Sequence, residues 1–145
     1  INFVIIEFNS LQVSHFKDIQ MPLVFGDASQ HLVLEAASIE NARLLIITTP
    51  SPITTKTIAE QALALNRELH IVARSGGREH MRMLRDLGVH GVVQPEFEAG
   101  LEITRQALLE MDVADSDVRH FTDLVREKLY APFLEEEEKT VRKKG

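Results

Sequence analysis

The sequence predicts an α/β fold, a parallel sheet flanked by helices, and three observations carry that prediction. Five short runs rich in aliphatic residues, Phe3 to Ile6, Leu23 to Phe25, Leu44 to Thr48, Leu69 to Ala73 and Gly91 to Val93, recur along the chain. Segments of helical period separate them, which is the pattern of βαβ units. With 145 residues, 44% of them hydrophobic, the chain is long enough to bury a sizeable core as one domain.

Each element has a local reason. Ser10 to Gln20 reads as a short helical connection closed by Pro22, and Ser29 to Ser38 as a second one rich in Leu and Ala. A third helix should begin at Ser51-Pro52, where a hydroxyl cap followed by proline suits a first turn, and run to about Asn66. The fourth, Arg78 to Leu87, should stop at Gly88, which takes the left-handed conformation that a helix end often needs. From Glu96 onward the pattern is helical, with one helix over Glu98 to Met111 and another over Asp115 to Tyr130. On the latter, Val118, Phe121, Val125 and Leu129 line one face. The run Glu135-Glu136-Glu137-Glu138 followed by Arg142-Lys143-Lys144 reads as a solvated, mobile tail. The expected division is 1–111 for the α/β domain, 112–133 for a helical extension and 134–145 for the tail.

The first strand ends in a carboxylate, Glu7. A strand of this kind follows the glycine-rich strand-turn-helix of a dinucleotide-binding unit, where the acid accepts hydrogen bonds from ribose hydroxyls. That preceding unit is not in the sequence: there is no G-x-G-x-x-G, and the one adjacent glycine pair, Gly76-Gly77, lies far downstream. In the six-strand order 3-2-1-4-5-6 the absent strand is central, between the strands ending in Glu7 and Thr48. A gap there leaves rows of backbone donors and acceptors unpaired, each costing on the order of 1–3 kcal/mol. Either the flanking strands pair directly, giving a five-strand order 2-1-3-4-5, or another chain supplies the strand.

Composition removes several classes of function. A formal net charge of −6 argues against nucleic acid and anionic lipid as partners, since both require a basic surface. The absence of cysteine removes disulfides, a thiolate nucleophile and Cys-ligated zinc. The apolar runs are far short of the ~20 residues a spanning helix needs. Six histidines, His15, His31, His70, His80, His90 and His120, lack metal-ligand spacing and read as surface or satisfied core residues. Met81 and Met83 read as packing or surface residues. Neither a Gly-x-Ser-x-Gly elbow nor a Walker loop is present, and the expectation is a protein that is not an enzyme. A phosphoacceptor receiver domain shares the order 2-1-3-4-5 but needs an acidic pair after the first strand, an aspartate after the third and a lysine after the fifth. Here those places hold Glu7-Phe8, Thr48-Thr49 and Gln94-Pro95.

The run Val24-Phe25-Gly26-Asp27-Ala28-Ser29 and then Leu34-Glu35-Ala36-Ala37-Ser38-Ile39-Glu40-Asn41-Ala42 resembles the "GDA…LeeAgIeeA" signature of RCK or TrkA-N nucleotide-binding domains. The likeness continues through Leu44 to Thr48, Ile71-Val72-Ala73-Arg74 and Leu84 to Glu96, covering roughly residues 1 to 110. Leu101 to Met111 and Phe121 to Pro132 look most like the cytoplasmic C-terminal part of Kef-type cation:proton antiporters.

This resemblance implies a Rossmann-like regulatory domain of a K+ channel, a K+ uptake system or a monovalent cation:proton antiporter. It would sit at the cytoplasmic face of the inner membrane, tied to a membrane transporter domain of the same or a partner chain, and pair as a homodimer. It also implies an adenine nucleotide or NAD(H) as ligand, with AMP, ATP and NADH as candidates. Glu7 matches the family's ribose-binding acid, and Asp27, followed by Ala28, matches the position near the adenine. Thr48 and Thr49 match the residues beside the nucleotide, and Arg74 the arginine near the phosphates or the subunit interface. Where relatives often carry Asn, Thr54 and Thr55 stand here and preserve a hydroxyl without the amide. Without the glycine loop the remaining contacts address adenosine better than pyrophosphate. Other readings stay open beside these: Glu7 as a solvated strand-end carboxylate, Asp27 as a helix cap, Arg74 as an ion-paired surface residue, and the whole chain as a dimerisation module that binds no nucleotide.

Overall fold

The computed structural model describes the backbone of residues 2–143 and the side chains of residues 2–131. The order of elements is β1 (Ile5–Glu7), α1 (Ser10–Asp18), β2 (Leu23–Phe25), α2 (His31–Ala36), a 3₁₀ turn (Ile39–Asn41), β3 (Leu44–Ile47), α3 (Pro52–Leu65), β4 (His70–Arg74), α4 (Arg78–Asp86), β5 (Gly91–Val93), α5 (Pro95–Glu110) and α6 (Asp115–Lys143). All strand pairs are parallel, so the α/β class follows the alternation in the sequence.

The caps explain where helices start. Asn9 accepts from the Leu11 backbone N–H at the head of α1, and Ser51 does the same for Thr54 at the head of α3, with Pro52 in the first turn. Gly88 follows α4 with φ at +86°, the left-handed value expected of it. Gly26 is required for a different reason: a Cβ there would lie 2.7 Å from Cγ2 of Val33, so α2 packs directly on the backbone leaving β2.

The strand order departs from the expected single sheet. β1 pairs with β2 in a two-stranded sheet, and β3, β4 and β5 form a separate three-stranded sheet in that order. Strands β1 and β3, expected as hydrogen-bonded neighbours in the order 2-1-3-4-5, are not bonded to each other. The reason is that the small sheet is fastened where it stands. Ile6 and Ala28 pack against the core cluster that includes Leu34, Ile47, Ile58, Leu69 and Ile71. The crossover from β2 to β3 is pinned by Asn66, whose Nδ2 donates to the carbonyls of Ile39 at 3.0 Å, Glu40 at 3.3 Å and Ala42 at 2.9 Å.

At the other end, α6 packs on α4 and α5. Val118 and Thr122 are buried there, so Val118 faces its own domain, while Phe121 and Leu124 stay exposed. The Tyr130 hydroxyl accepts from the Gln94 N–H at 3.1 Å and donates to Glu98 at 3.1 Å, and its ring meets Phe97 edge-on at 6.2 Å. Arg126 completes the cluster with an ion pair to Glu98 at 3.0 Å. Helix α6 overruns the expected end at Tyr130 and its backbone continues to Lys143. The side chains of the expected charged tail, and residues 144 and 145, lie outside the described residues.

Candidate functional site

In an open parallel α/β sheet ligands bind outside the carboxyl ends of the strands, because the loops and helix N-termini there leave backbone donors unpaired. The predicted residues all stand at such ends, divided between the two sheets. Glu7 closes β1, opposite Phe25 in the register, and the Gly26 N–H donates to the Glu7 carbonyl at 3.0 Å, so Glu7 and the Gly26-Asp27-Ala28 turn are adjacent. Thr48 and Thr49 follow β3 directly, and Arg74 ends β4, one position beyond the pair Ile47 and Ala73.

The two carboxylates are held by backbone donors. One oxygen of Glu7 accepts from the N–H groups of Phe8 at 2.8 Å and Asn9 at 2.7 Å. Among the described residues its other oxygen has no hydrogen-bond partner. Asp27 Oδ1 accepts from the Ser29 N–H at 2.8 Å, and Gln30 N–H donates to the Asp27 carbonyl at 2.9 Å. The bond from the Ser29 backbone, then the Ser29 side chain, holds the Asp27 carboxyl below the usual carboxylate range against a small opposing effect of burial. Asp27 therefore stabilises the turn before α2, whose own N-cap is Gln30 without a side-chain bond, and it is not the helix cap itself.

Arg74 is already engaged, its guanidinium lying 2.8 Å from a Glu96 carboxylate oxygen, which agrees with the ion-paired reading. Thr55 corrects an expectation. It is fully buried and its hydroxyl donates to the carbonyls of Ser51 at 2.9 Å and Thr49 at 3.3 Å, so it offers nothing to a ligand. Thr54 donates its hydroxyl to Ser51 Oγ at 2.9 Å.

A further feature was not legible in the sequence. A cleft of about 510 Å³ opens where α3 and α4 begin, lined by Pro52, Gly76, Gly77, Arg78, His80 and Met83, with Glu79 beside them. His80 is only 8% exposed. Its Nδ1 accepts from the Gly76 N–H at 3.3 Å, which leaves the proton on Nε2, and Nε2 is buried with no hydrogen-bond partner among the described residues. Burial lowers its pKa, disfavouring the charged ring. His80 is thus a core histidine satisfied on one side only. The repeated Gly76-Gly77 was the signal available. Neither Glu7 nor Asp27 lines this cleft, so the cleft and the acidic pair are separate places. Among the described residues no group of three or more His, Cys, Asp or Glu could hold a metal ion.

Two parallel half-sheets with helices between the strands, an acid at the end of the first strand and a Gly-Asp turn after the second belong to a Rossmann-like type of α/β domain. Residues 1–95 match the TrkA-N domain, and the chain belongs to that family. Among curated relatives, a protein of Methanothermus fervidus is 35% identical over 102 residues, covering 69% of this chain and 16% of that protein. The glutathione-regulated potassium-efflux system protein KefC of Cronobacter sakazakii is 25% identical over 126 residues, covering 87% of this chain and 20% of KefC. The chain thus spans about a fifth or less of the length of these relatives. Among solved structures, the AMP-bound Kef C-terminal domain of Shewanella denitrificans superposes with a TM-score of 0.73 at 25% identity, over 90% of this chain and 94% of that one. The TrkA-N domain of the inner membrane protein YbaL of Escherichia coli gives 0.64 at 26% identity, over 74% and 76%. The GsuK channel bound to NAD shares the fold, with a TM-score of 0.62 at 23% identity over 69% of this chain and 18% of that one.

Proposed function

We propose that this chain is a ligand-sensing regulatory domain of a monovalent cation transport system, of the cation:proton antiporter kind, and that it carries out no catalysis. The observation that carries this reading is the Gly26-Asp27 turn beside Glu7 at a sheet's carboxyl edge, in a TrkA-N domain similar over 90% of its length to an AMP-bound Kef domain. A carboxylate oriented by backbone donors is suited to accept from ribose hydroxyls or an adenine amino group, because it needs little reorganisation when the ligand arrives. Glu7 takes the ribose, Asp27 with Ala28 the adenine side, and Thr48 and Thr49 border the same ligand from β3. Arg74, paired with Glu96, meets phosphate only by exchanging one carboxylate for another anion.

Residues 1–111 are the sensing unit and 112–133 an extension that fastens to it through Val118, Thr122 and Tyr130. Regulation is a population shift: AMP, ATP or NADH binding one arrangement of a homodimer better than another moves the transporter's equilibrium by that difference in affinity. The dimer contact uses the exposed Phe121 and Leu124 of α6, since Val118 is buried in its own domain. The site of action is the cytoplasmic face of the inner membrane, beside a transporter domain of the same or a partner chain; no helix among the described residues is long and apolar enough to cross a membrane.

Calorimetry with AMP tests this. The expected affinity is weak, near the millimolar level that corresponds to about −4 kcal/mol, because the phosphate has few donors here. Asp27→Ala should weaken it at least tenfold, about 1.4 kcal/mol. Binding unchanged in Asp27→Ala removes that residue from the site, and no binding with a persistent dimer favours a pairing module that has lost its ligand.

A further inference from the structure

We infer that Glu96 is a built-in competitor for anions: its carboxylate occupies Arg74 in place of a ligand's phosphate and so sets the preference of the site for a neutral nucleoside over a phosphate-bearing one, an inference that rests on the nucleotide reading of this edge. Arg74 closes β4 opposite Val93 of β5, and Glu96 stands in the first turn of α5, just beyond the end of β5. The acid is thus delivered to Arg74 from the exit of the neighbouring strand. The contact is a single one, from one guanidinium nitrogen to one Glu96 oxygen at 2.8 Å. A guanidinium carries its donors in a planar fork that engages two phosphate oxygens at once. Glu96 neutralises the charge of Arg74 without using the fork, which leaves the pair open to exchange.

The two acids in the first turn of α5 differ in a way that marks Glu96 as the exchangeable one. Glu98 has a side chain 28% exposed and is held by Arg126 at 3.0 Å and by the Tyr130 hydroxyl at 3.1 Å, so it is committed to fastening α6. Glu96 is 63% exposed and is joined to Arg74 by its one short bond. Once released it remains in the first turn of α5, whose N-cap Gln94 makes no side-chain bond, and there water and the helix dipole both favour a carboxylate. Release therefore costs little. With Glu96 in place, a phosphate arriving at Arg74 meets a like charge at contact distance, and with that charge removed it meets an unopposed cation. Adenosine carries no charge and is indifferent to the change.

Glu96→Gln keeps the size of the side chain and removes its charge, and three probes read the result: inorganic phosphate by NMR titration of the Arg74 Nε–H, and AMP and adenosine by calorimetry. Affinity for inorganic phosphate and for AMP should rise by at least about fivefold while that for adenosine stays the same, and the gain should shrink as salt is added. In an Arg74→Gln background, Glu96→Gln should bring no gain. Glu79→Gln, which neutralises a first-turn acid of the neighbouring helix α4, should give none either. An equal gain from Glu79→Gln makes Glu96 one charge in a general field and overturns the proposal. A phosphate affinity unchanged in Glu96→Gln overturns it too, as does a gain that persists without Arg74. Failure of the nucleotide reading looks different: adenosine and AMP then bind no variant, while inorganic phosphate still separates Glu96→Gln from the wild type and upholds the competitor.

Discussion

In the three-stranded sheet Ile71 and Ala73 of β4 and Ile47 of β3 are buried, whereas every residue of β1 is only half-buried and Phe25 of β2 is exposed. The strands themselves are chemically alike, Ile-Ile-Glu and Leu-Val-Phe against Leu-Leu-Ile-Ile and His-Ile-Val-Ala-Arg. The difference lies in what covers them. β4 has bonded neighbours on both sides and packs against the layer formed by α3 and α4, while β1 has one neighbour and a free edge. Burial of a parallel strand is thus a property of its place in the sheet more than of its residues.

The comparison is most easily broken by paired core truncations. Ile71→Ala should cost about 2–5 kcal/mol and Ile5→Ala less than about 1.5 kcal/mol, read by urea unfolding. Equal costs would mean that the small sheet is as tightly packed as the large one. Next in size is Gly26→Ala, which drives a Cβ into Val33 and should cost about 1–3 kcal/mol. Adding Val33→Ala should recover part of the loss; no recovery would show that α2 does not rest on the β2 exit.

Fold class, helix starts at Ser51-Pro52 and the stop at Gly88 were legible because they depend on neighbours in sequence. The separation of β1 from β3 was legible only as the second of two alternatives, because strand pairing rests on long-range contacts; the Asn66 clamp was not legible, having nothing in its local pattern to distinguish it from a helix-ending polar residue. The acidic positions Glu7 and Asp27 were legible as a motif, and the structure adds that their own backbone holds them. The Arg74 pair with Glu96 spans 22 residues and was available only as one of two readings. His80 is a core residue, within the expected range for the histidines, and what the sequence did not show is that its buried Nε2 lacks a hydrogen-bond partner among the described residues.

The smallest effect expected is a pH dependence confined to the small sheet. Asp27 has its folded pKa lowered below the unfolded value by Ser29, so its contribution is complete above the unfolded pKa, about 3.9, and is lost as pH falls through the folded value. NMR titration should show the Asp27 carboxyl protonating below the ordinary aspartate range. Amides of Ser29 and Gln30 should lose protection before those of β4. An ordinary Asp27 titration would remove the Ser29 bond from the account.

The Asn66 clamp has a mechanical consequence. The β2 to β3 crossover is the covalent link between the two sheets, and one amide nitrogen ties three residues near its end, Ile39, Glu40 and Ala42, to the end of α3. Immediately before that fixed stretch stands Ser38, in the left-handed region at φ 57° and ψ 42°, between the end of α2 and the 3₁₀ turn. Ser38 does not act as a free pivot: its N–H donates to the Glu35 carbonyl and its own carbonyl accepts from the Asn41 N–H, while Leu34 of α2 is buried in the same core as Ile47, Ile58 and Ile71, so the chain is held on both sides of the turn.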